Sequence, residues 1–367
     1  MTQAVLARQE IAAYMDSERG PAARERIEGY LEELRTTQRY QIYRALRHPL
    51  YPILRKIERI GEFYEPVKAA ARAGRIVYAS NHRSHTDYLV EPLVLDDNGI
   101  RPPVIAAGIN LFGGPLGLIH RHVTGAIPIR RNAKDPAYLM TLKAYVAEML
   151  RKHDVFFYPE GGRSYSGEIK NPKTGLMHAA LLSDHPNLVV VPTAISYDMV
   201  VEDHILARQG VKRSQRPFSR ELAEMVRYAV GYRSRAYVSF GTPMSADGVD
   251  ANSRRDVLAF THAVMTAVGR VVKVLPTPLI ATAMRPSITK SELKDLAEAL
   301  IDTLRAGNAN LGMADSREAV ELGVEALVTR GVIVSERSRL RVRDRHVLRY
   351  YARSIDHLLT SPSRRTH

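Results

Sequence analysis

The feature that most constrains this chain is a series of six short apolar segments between residues 75 and 240. They fall at 76–79, 104–107, 126–129, 155–158, 188–195 and 237–240, each set off by a longer mixed stretch. Short runs rich in Val, Ile and Tyr suit strands buried on both faces. Of the stretches between them, 88–95 and 137–150 read as helices. Such alternation argues for an α/β domain with a central, mostly parallel or mixed sheet flanked by helices. We expect that domain over residues 61–275, with helical regions at 1–60 and 276–367.

The flanks have a different texture. From residue 9 to 60 the pattern is helical, with Tyr30, Leu31, Leu34, Tyr40, Tyr43, Leu46 and Leu50 recurring at spacings of three and four until Pro49 and Pro52 interrupt. Seven cations (Arg35, Arg39, Arg44, Arg47, Arg55, Lys56, Arg59) and one acid, Glu58, lie between residues 35 and 60, interleaved with Tyr40, Tyr43, Tyr51 and Leu54. This suits an interfacial helix on an anionic membrane, or a solvated basic face on a helix packed against the core. Beyond residue 275, Pro276, Pro278 and Pro286 mark a connection into helices expected at 290–304 and 317–329. Arg337, Arg339, Arg341 and Arg343 then alternate with Leu340 and Val342 as a strand would. Two helices and a basic strand have the look of a winged helix, which carries a nucleic-acid-binding reading. A helical cap touching membrane or carrier protein is preferred because catalytic motifs stand upstream.

Composition narrows the chemistry. With no cysteine, disulfides, thiolate nucleophiles and cysteine-held metals drop out, and cytosolic exposure is the default. A net charge of +14 favours anionic partners without choosing among them. Apolar stretches such as 188–195 fall short of the roughly 20 residues that cross a bilayer. Residues 1–10 show no apolar core of a signal peptide.

Three segments that end strands carry the candidate chemistry. Asn81-His82-Arg83-Ser84-His85-Thr86-Asp87 follows the first buried strand, at the end where α/β sheets gather ligands. If a helix starts near Ser84, Asp87 folds back to accept from His82 Nδ1 and leaves Nε2 as a base. A positioned imidazole that takes a proton from an alcohol is worth about 100- to 10,000-fold in rate. Ser84-x-x-Asp87 also fits a relaxed capping box, and His82, His85 and Asp87 are three possible metal ligands, although no other group has a recognised ligand spacing. Arg130 and Arg131 end a second strand, as phosphate grips or as surface ion pairs. Pro159-Glu160-Gly161-Gly162-Arg163-Ser164 ends a third in a turn that lets backbone approach a ligand. Glu160 is placed to hydrogen-bond an alcohol there and Arg163 to pair with a phosphate; a loop in which the two pair together is the plainer alternative. Gly162-x-Ser164-x-Ser166 lacks the last glycine of a nucleophile elbow. Lys173, in Pro172-Lys173-Thr174-Gly175, offers a further cation, and Pro192 interrupts the strand at 188–195.

In this order and at these separations, over about residues 75–200, the blocks resemble the four motifs of the glycerolipid acyltransferase superfamily. His82 and Asp87 match its H-x4-D pair, Arg130 and Arg131 its basic pair, Glu160, Gly161 and Arg163 its E-G-x-R turn, and Pro192 its fourth-motif proline. Residues 106–111 and 172–175 resemble the bacterial glycerol-3-phosphate and the dihydroxyacetone-phosphate branch more than the lysophosphatidate branch. The amino-terminal part is shorter than in the large bacterial enzymes, so accessory regions are expected to differ in partner binding.

The resemblance implies that His82 is general base, Asp87 its orienter, and that the arginines hold the acceptor phosphate. Glu160, Gly161, Ser164 and Lys173 are grouped with Arg130, Arg131 and Arg163 as substrate-binding. Only one of Arg130 and Arg131 faces the pocket if both lie on a strand. The implied reaction is direct attack by the hydroxyl of glycerol 3-phosphate on the thioester of acyl-CoA or acyl carrier protein. It needs no cofactor, metal or covalent acyl-enzyme, and its product is lysophosphatidate. Peripheral attachment to an anionic membrane on its cytosolic face is expected, and no nucleic acid. Lysophosphatidate and dihydroxyacetone phosphate are the alternative acceptors. A catalytically silent membrane scaffold is disfavoured by the intact His82 and Asp87.

Overall fold

All six apolar segments become strands, and two more join them. The computed structural model describes residues 1–17, 21–50, 57–209 and 234–360, with the backbone alone at 46–50 and 114–116. Its main sheet comprises β1 (Ile57–Glu62), β2 (Arg75–Ser80), β3 (Val104–Gly108), β4 (Ala126–Ile129), β5 (Val155–Phe157), β6 (Leu188–Tyr197), β7 (Ser234–Phe240) and β8 (Met244–Ser245). The strand order is β1-β7-β6-β2-β5-β3-β4, with β8 on β6. Strands β2 to β6 run parallel; β7 returns antiparallel on β6 and carries β1 parallel to itself. The sheet is mixed with a parallel centre, so the turns after five parallel strands emerge along one edge.

Alternation along the strands divides the core into two layers. Ile76, Tyr78 and Phe156 face one apolar cluster, which runs on into Leu279, Leu293 and Ile301. Val77, Ala79 and Phe157 face the other, with Ile27, Leu31, Tyr138 and Val264. The helix Pro136–Leu150 begins where the Asp135 side chain accepts from the Ala137 amide and Pro136 needs no donor. The helix Asp87–Asp97 is buried on every side from Asp87 to Asp96, which explains its lack of a polar face.

Three local expectations change. Residues 57–60, read as the end of a helix, open β1, because pairing with β7 satisfies a row of backbone groups. The proline-rich stretch at 276 is the helix Pro276–Ala283, with Pro276 at a position where a missing N–H costs nothing. Residues 337–343 are not one strand. Ile333–Glu336 and Arg339–Val342 form a hairpin that turns at Arg337, whose φ is 52°. With the strand Ser287–Thr289 and the helices Lys290–Ala306 and Ser316–Thr329, this reproduces the order of a winged helix.

The basic amino-terminal helix is only partly in view. Tyr51, Leu54, Arg55 and Lys56, and the side chain of Arg47, lie outside the described residues. Arg44 is 3.6 Å from Asp96 and Arg59 is 2.9 Å from Asp97, so these two cations are tied to the helix Asp87–Asp97.

Candidate active site

The turn after β2 is built around one carboxylate. Asp87 Oδ2 accepts from His82 Nδ1 at 2.8 Å, from the Arg83 amide at 2.6 Å and from the Ser84 amide at 2.9 Å. Its other oxygen accepts from the Tyr197 hydroxyl at 2.8 Å. The helix therefore starts at Asp87 rather than near Ser84. The Ser84 hydroxyl makes no cap and donates instead to Glu202, at 2.8 Å. With Nδ1–H directed at Asp87, His82 Nε2 is the acceptor end of the imidazole. Among the described residues no cluster of three His, Asp or Glu is arranged to hold a metal ion.

Electrostatics keep that imidazole neutral. Burial, then Arg163, His85, Arg131 and Lys170, hold the His82 pKa well below its usual value. Burial raises Asp87 to about 6 while its hydrogen bonds oppose the rise, so it is largely ionised at neutral pH. The ring of Tyr158 stacks on His82 at 4.1 Å, and its hydroxyl donates to Glu91 at 2.7 Å. Glu91 is fully buried, and burial followed by Asp87 pushes its pKa well above the carboxylate range.

A cleft opens beside His82, lined by the ends of β3, β4 and β5. Its polar wall includes His82, His85, Arg131, Gly161, Gly162 and Lys173; Leu111, Leu139, Leu142 and Leu176 line its apolar part. Both adjacent arginines line the cleft, but their guanidinium groups have different partners. Arg130 turns its guanidinium to Glu33 and over the rings of Tyr30 and Tyr138. Arg131 reaches the turns after β3 and β5, where a Cβ on Gly108 would sit 3.0 Å from its Nε and one on Gly162 3.7 Å from its Nη1. No carboxylate pairs with Arg131 among the described residues. Lys173 lies across Gly161, whose φ of +69° and lack of a side chain admit the lysine stem, and donates to Asn132 at 3.1 Å.

Four of the sequence candidates have other work. Arg130 lines the cleft, but its guanidinium is engaged by Glu33. Glu160 does not present itself to an alcohol: its two oxygens accept from the His82 amide at 2.9 Å and the Lys170 amide at 3.0 Å, bracing the turn after β2 against the turn after β5. Nor does it pair with Arg163, which is 3.4 Å from Glu202 instead. The Ser164 hydroxyl donates to the Glu168 carbonyl and its amide to the His82 carbonyl, so it too is a brace. Arg163 stands behind the cleft wall, 8% exposed, and acts on His82 through its charge.

Sequence reading missed Tyr197, Glu91, Tyr158, Lys170 and Glu202. Lys170 donates to the carbonyls of Gly162 and Arg163 and closes the loop. Their one sequence signal is position, since Tyr158, Tyr197 and Glu202 follow or end strands whose turns share an edge.

Residues 62–196, which include the turns around the cleft, match the family model described as Acyltransferase. A glycerol-3-phosphate acyltransferase of Aeromonas hydrophila is 29% identical over 93% of this chain and 47% of its own length. One of Glaesserella parasuis is 28% identical over the same shares. A solved 1-acyl-sn-glycerophosphate acyltransferase from Thermotoga maritima aligns with 57% of this chain and 70% of its own, at 15% identity and a TM-score of 0.35. Over residues 62–196 the chain is thus similar to the acyltransferase family, and over most of its length to two bacterial glycerol-3-phosphate acyltransferases. It spans about half the length of the relatives it matches, 47% in both cases.

Proposed function

We propose that this chain transfers a fatty acyl group from acyl-CoA or acyl carrier protein to the sn-1 hydroxyl of glycerol 3-phosphate, forming lysophosphatidate. The observation that carries this reading is a neutral imidazole, held by Asp87 at 2.8 Å, in a cleft that also holds Arg131 and Lys173. Those cations suit a phosphate, and the leucines beyond them suit an acyl chain. In the reaction His82 Nε2 takes the hydroxyl proton, and the oxygen attacks the thioester carbonyl. The imidazolium then returns the proton to the leaving thiolate. Asp87 holds the tautomer and balances the charge on His82.

Peripheral membrane attachment, on the cytosolic face, is part of the same reading. No helix among the described residues is long and apolar enough to cross a membrane. Ile109 is 40% and Leu118 65% exposed, in segments flanking cleft-lining Leu111. The Thr37 and Arg39 amides donate to the carbonyls of Arg121 and Val123, which brings Arg35 and Arg39 beside Arg121 and His122. Apolar side chains ringed by cations suit an anionic bilayer. The competing nucleic-acid reading meets an obstacle at the helix Ser316–Thr329, whose exposed face carries Glu321 and Glu325, which repel phosphates.

The test is thiol release by purified protein from one long-chain acyl-CoA, with glycerol 3-phosphate, dihydroxyacetone phosphate and lysophosphatidate in turn. Release is expected to be fastest with glycerol 3-phosphate. Equal release with and without every acceptor would sink the proposal.

A further inference from the structure

The loop after β6 joins the catalytic turn to the carboxy-terminal region through two adjacent buried acids. Glu202, 1% exposed, accepts from the His85 amide at 2.6 Å and the Ser84 hydroxyl at 2.8 Å, and Arg163 Nη1 lies 3.4 Å away. It thus touches the turn that carries His82 and Asp87, and also the cation that acts on His82. Asp203, 0% exposed, faces the other way. It accepts from Arg330 Nε at 3.0 Å and from the Tyr351 hydroxyl at 2.7 Å. Arg330 also donates to the Val201 carbonyl at 2.7 Å, and the Val200 amide donates to the Tyr351 hydroxyl at 3.0 Å. Residues 200–203 are therefore held at four points by two side chains from beyond residue 325.

A second tie reaches the same site. Arg83, between His82 and Ser84, donates to the Gly167 carbonyl, and Gly167 lies so close to Tyr350 that a Cβ would meet its carbonyl at 1.9 Å.

We propose that Glu202 is a positioning residue for acyl transfer, and that Arg330 and Tyr351 set its place through Asp203. The carboxy-terminal region then holds Arg163 and the His82 turn in register with the acceptor cleft. The inference rests on the reading of glycerol 3-phosphate as acceptor. A carboxylate that holds an arginine, itself seated by a buried ion pair on the next residue, is well suited to this: low-dielectric ion pairs tolerate little displacement.

The test compares wild-type protein with Tyr351→Phe, Arg330→Ala, Arg330→Lys and Glu202→Gln in steady-state assays that vary each substrate. Tyr351→Phe removes two hydrogen bonds, to Asp203 and from the Val200 amide, and keeps the packing, so it reports even if Arg330→Ala fails to fold. KM for glycerol 3-phosphate is expected to rise about threefold in Tyr351→Phe and about tenfold in Arg330→Ala, with KM for acyl-CoA unchanged and partial recovery in Arg330→Lys. In Glu202→Gln the acid limb of kcat/KM is expected to move to lower pH, because loss of a nearby negative charge favours the ionised form of Asp87. An acceptor KM unchanged in Tyr351→Phe and an acid limb unmoved in Glu202→Gln would overturn the inference. So would parallel losses in both KM values and kcat. A wild-type protein that releases no thiol with any acceptor removes the acceptor reading itself, a separable result.

Discussion

At the scale of single residues, the site depends on which atom of His82 is left free. Asp87 occupies Nδ1, and its remaining hydrogen bonds come from the Arg83 and Ser84 amides and Tyr197. His82→Ala is expected to lose at least about 100-fold in kcat with an unchanged melting temperature. Retention of more than a tenth of the wild-type rate would remove His82 from the role of base. The pH dependence follows from the carboxylate. The His82 pKa lies well below its usual value, so the imidazole is neutral at neutral pH, whereas Asp87 protonates near 6. Protonation of Asp87 releases the tautomer, so kcat/KM is expected to fall as pH drops through about 6 and to be level above it. Asp87→Asn should abolish that acid limb and lower the plateau by about 100- to 10,000-fold; a limb that survives would reassign it. His82 and Asp87 were legible because a short spacing after a strand admits little other geometry. Glu202 and Glu91 were not, since each gains its role from a partner many residues away.

At the scale of elements, the loop from Tyr158 to Lys173 shows how a turn becomes a wall. Glu160 and Ser164 fasten it to the backbone of His82, and Lys170 fastens it to itself. Gly167 sits at φ +89° against the carbonyl of Tyr350. Gly167→Ala adds both conformational strain and a backbone clash, and should cost about 1–3 kcal/mol of stability. Thermal melts read this directly; an unchanged midpoint would mean that the loop and the helix Arg345–Arg353 separate easily. Glycines and a proline marked this loop as a tight turn. Nothing in its spacing said that its serine and glutamate serve the backbone rather than a ligand.

At the scale of the whole molecule, the carboxy-terminal region and the sheet share one apolar layer. The cluster that contains Tyr78 and Phe156 continues into Leu279, Ile301 and Tyr351. Lys273 also bonds Glu62 at the end of β1, and Asn310 donates to the same carboxylate at 2.9 Å. Calorimetry of the full chain is therefore expected to show a single transition, and a chain ended at residue 275 should lose cooperative melting, its sheet face laid bare. Two separated transitions would show that the regions fold independently.

Sequence alone determined the six buried strands of an α/β sheet and the His82–Asp87 pair, because these follow from local periodicity and short spacing. Tertiary structure decided which arginine is paired with a distant carboxylate, which acids brace the turns, and that β1 is a strand. Each of these depends on a partner supplied by a distant element, Glu33 for Arg130 and β7 for β1. A periodicity contains no information about such partners, because burial and hydrogen bonding across the fold set their energies.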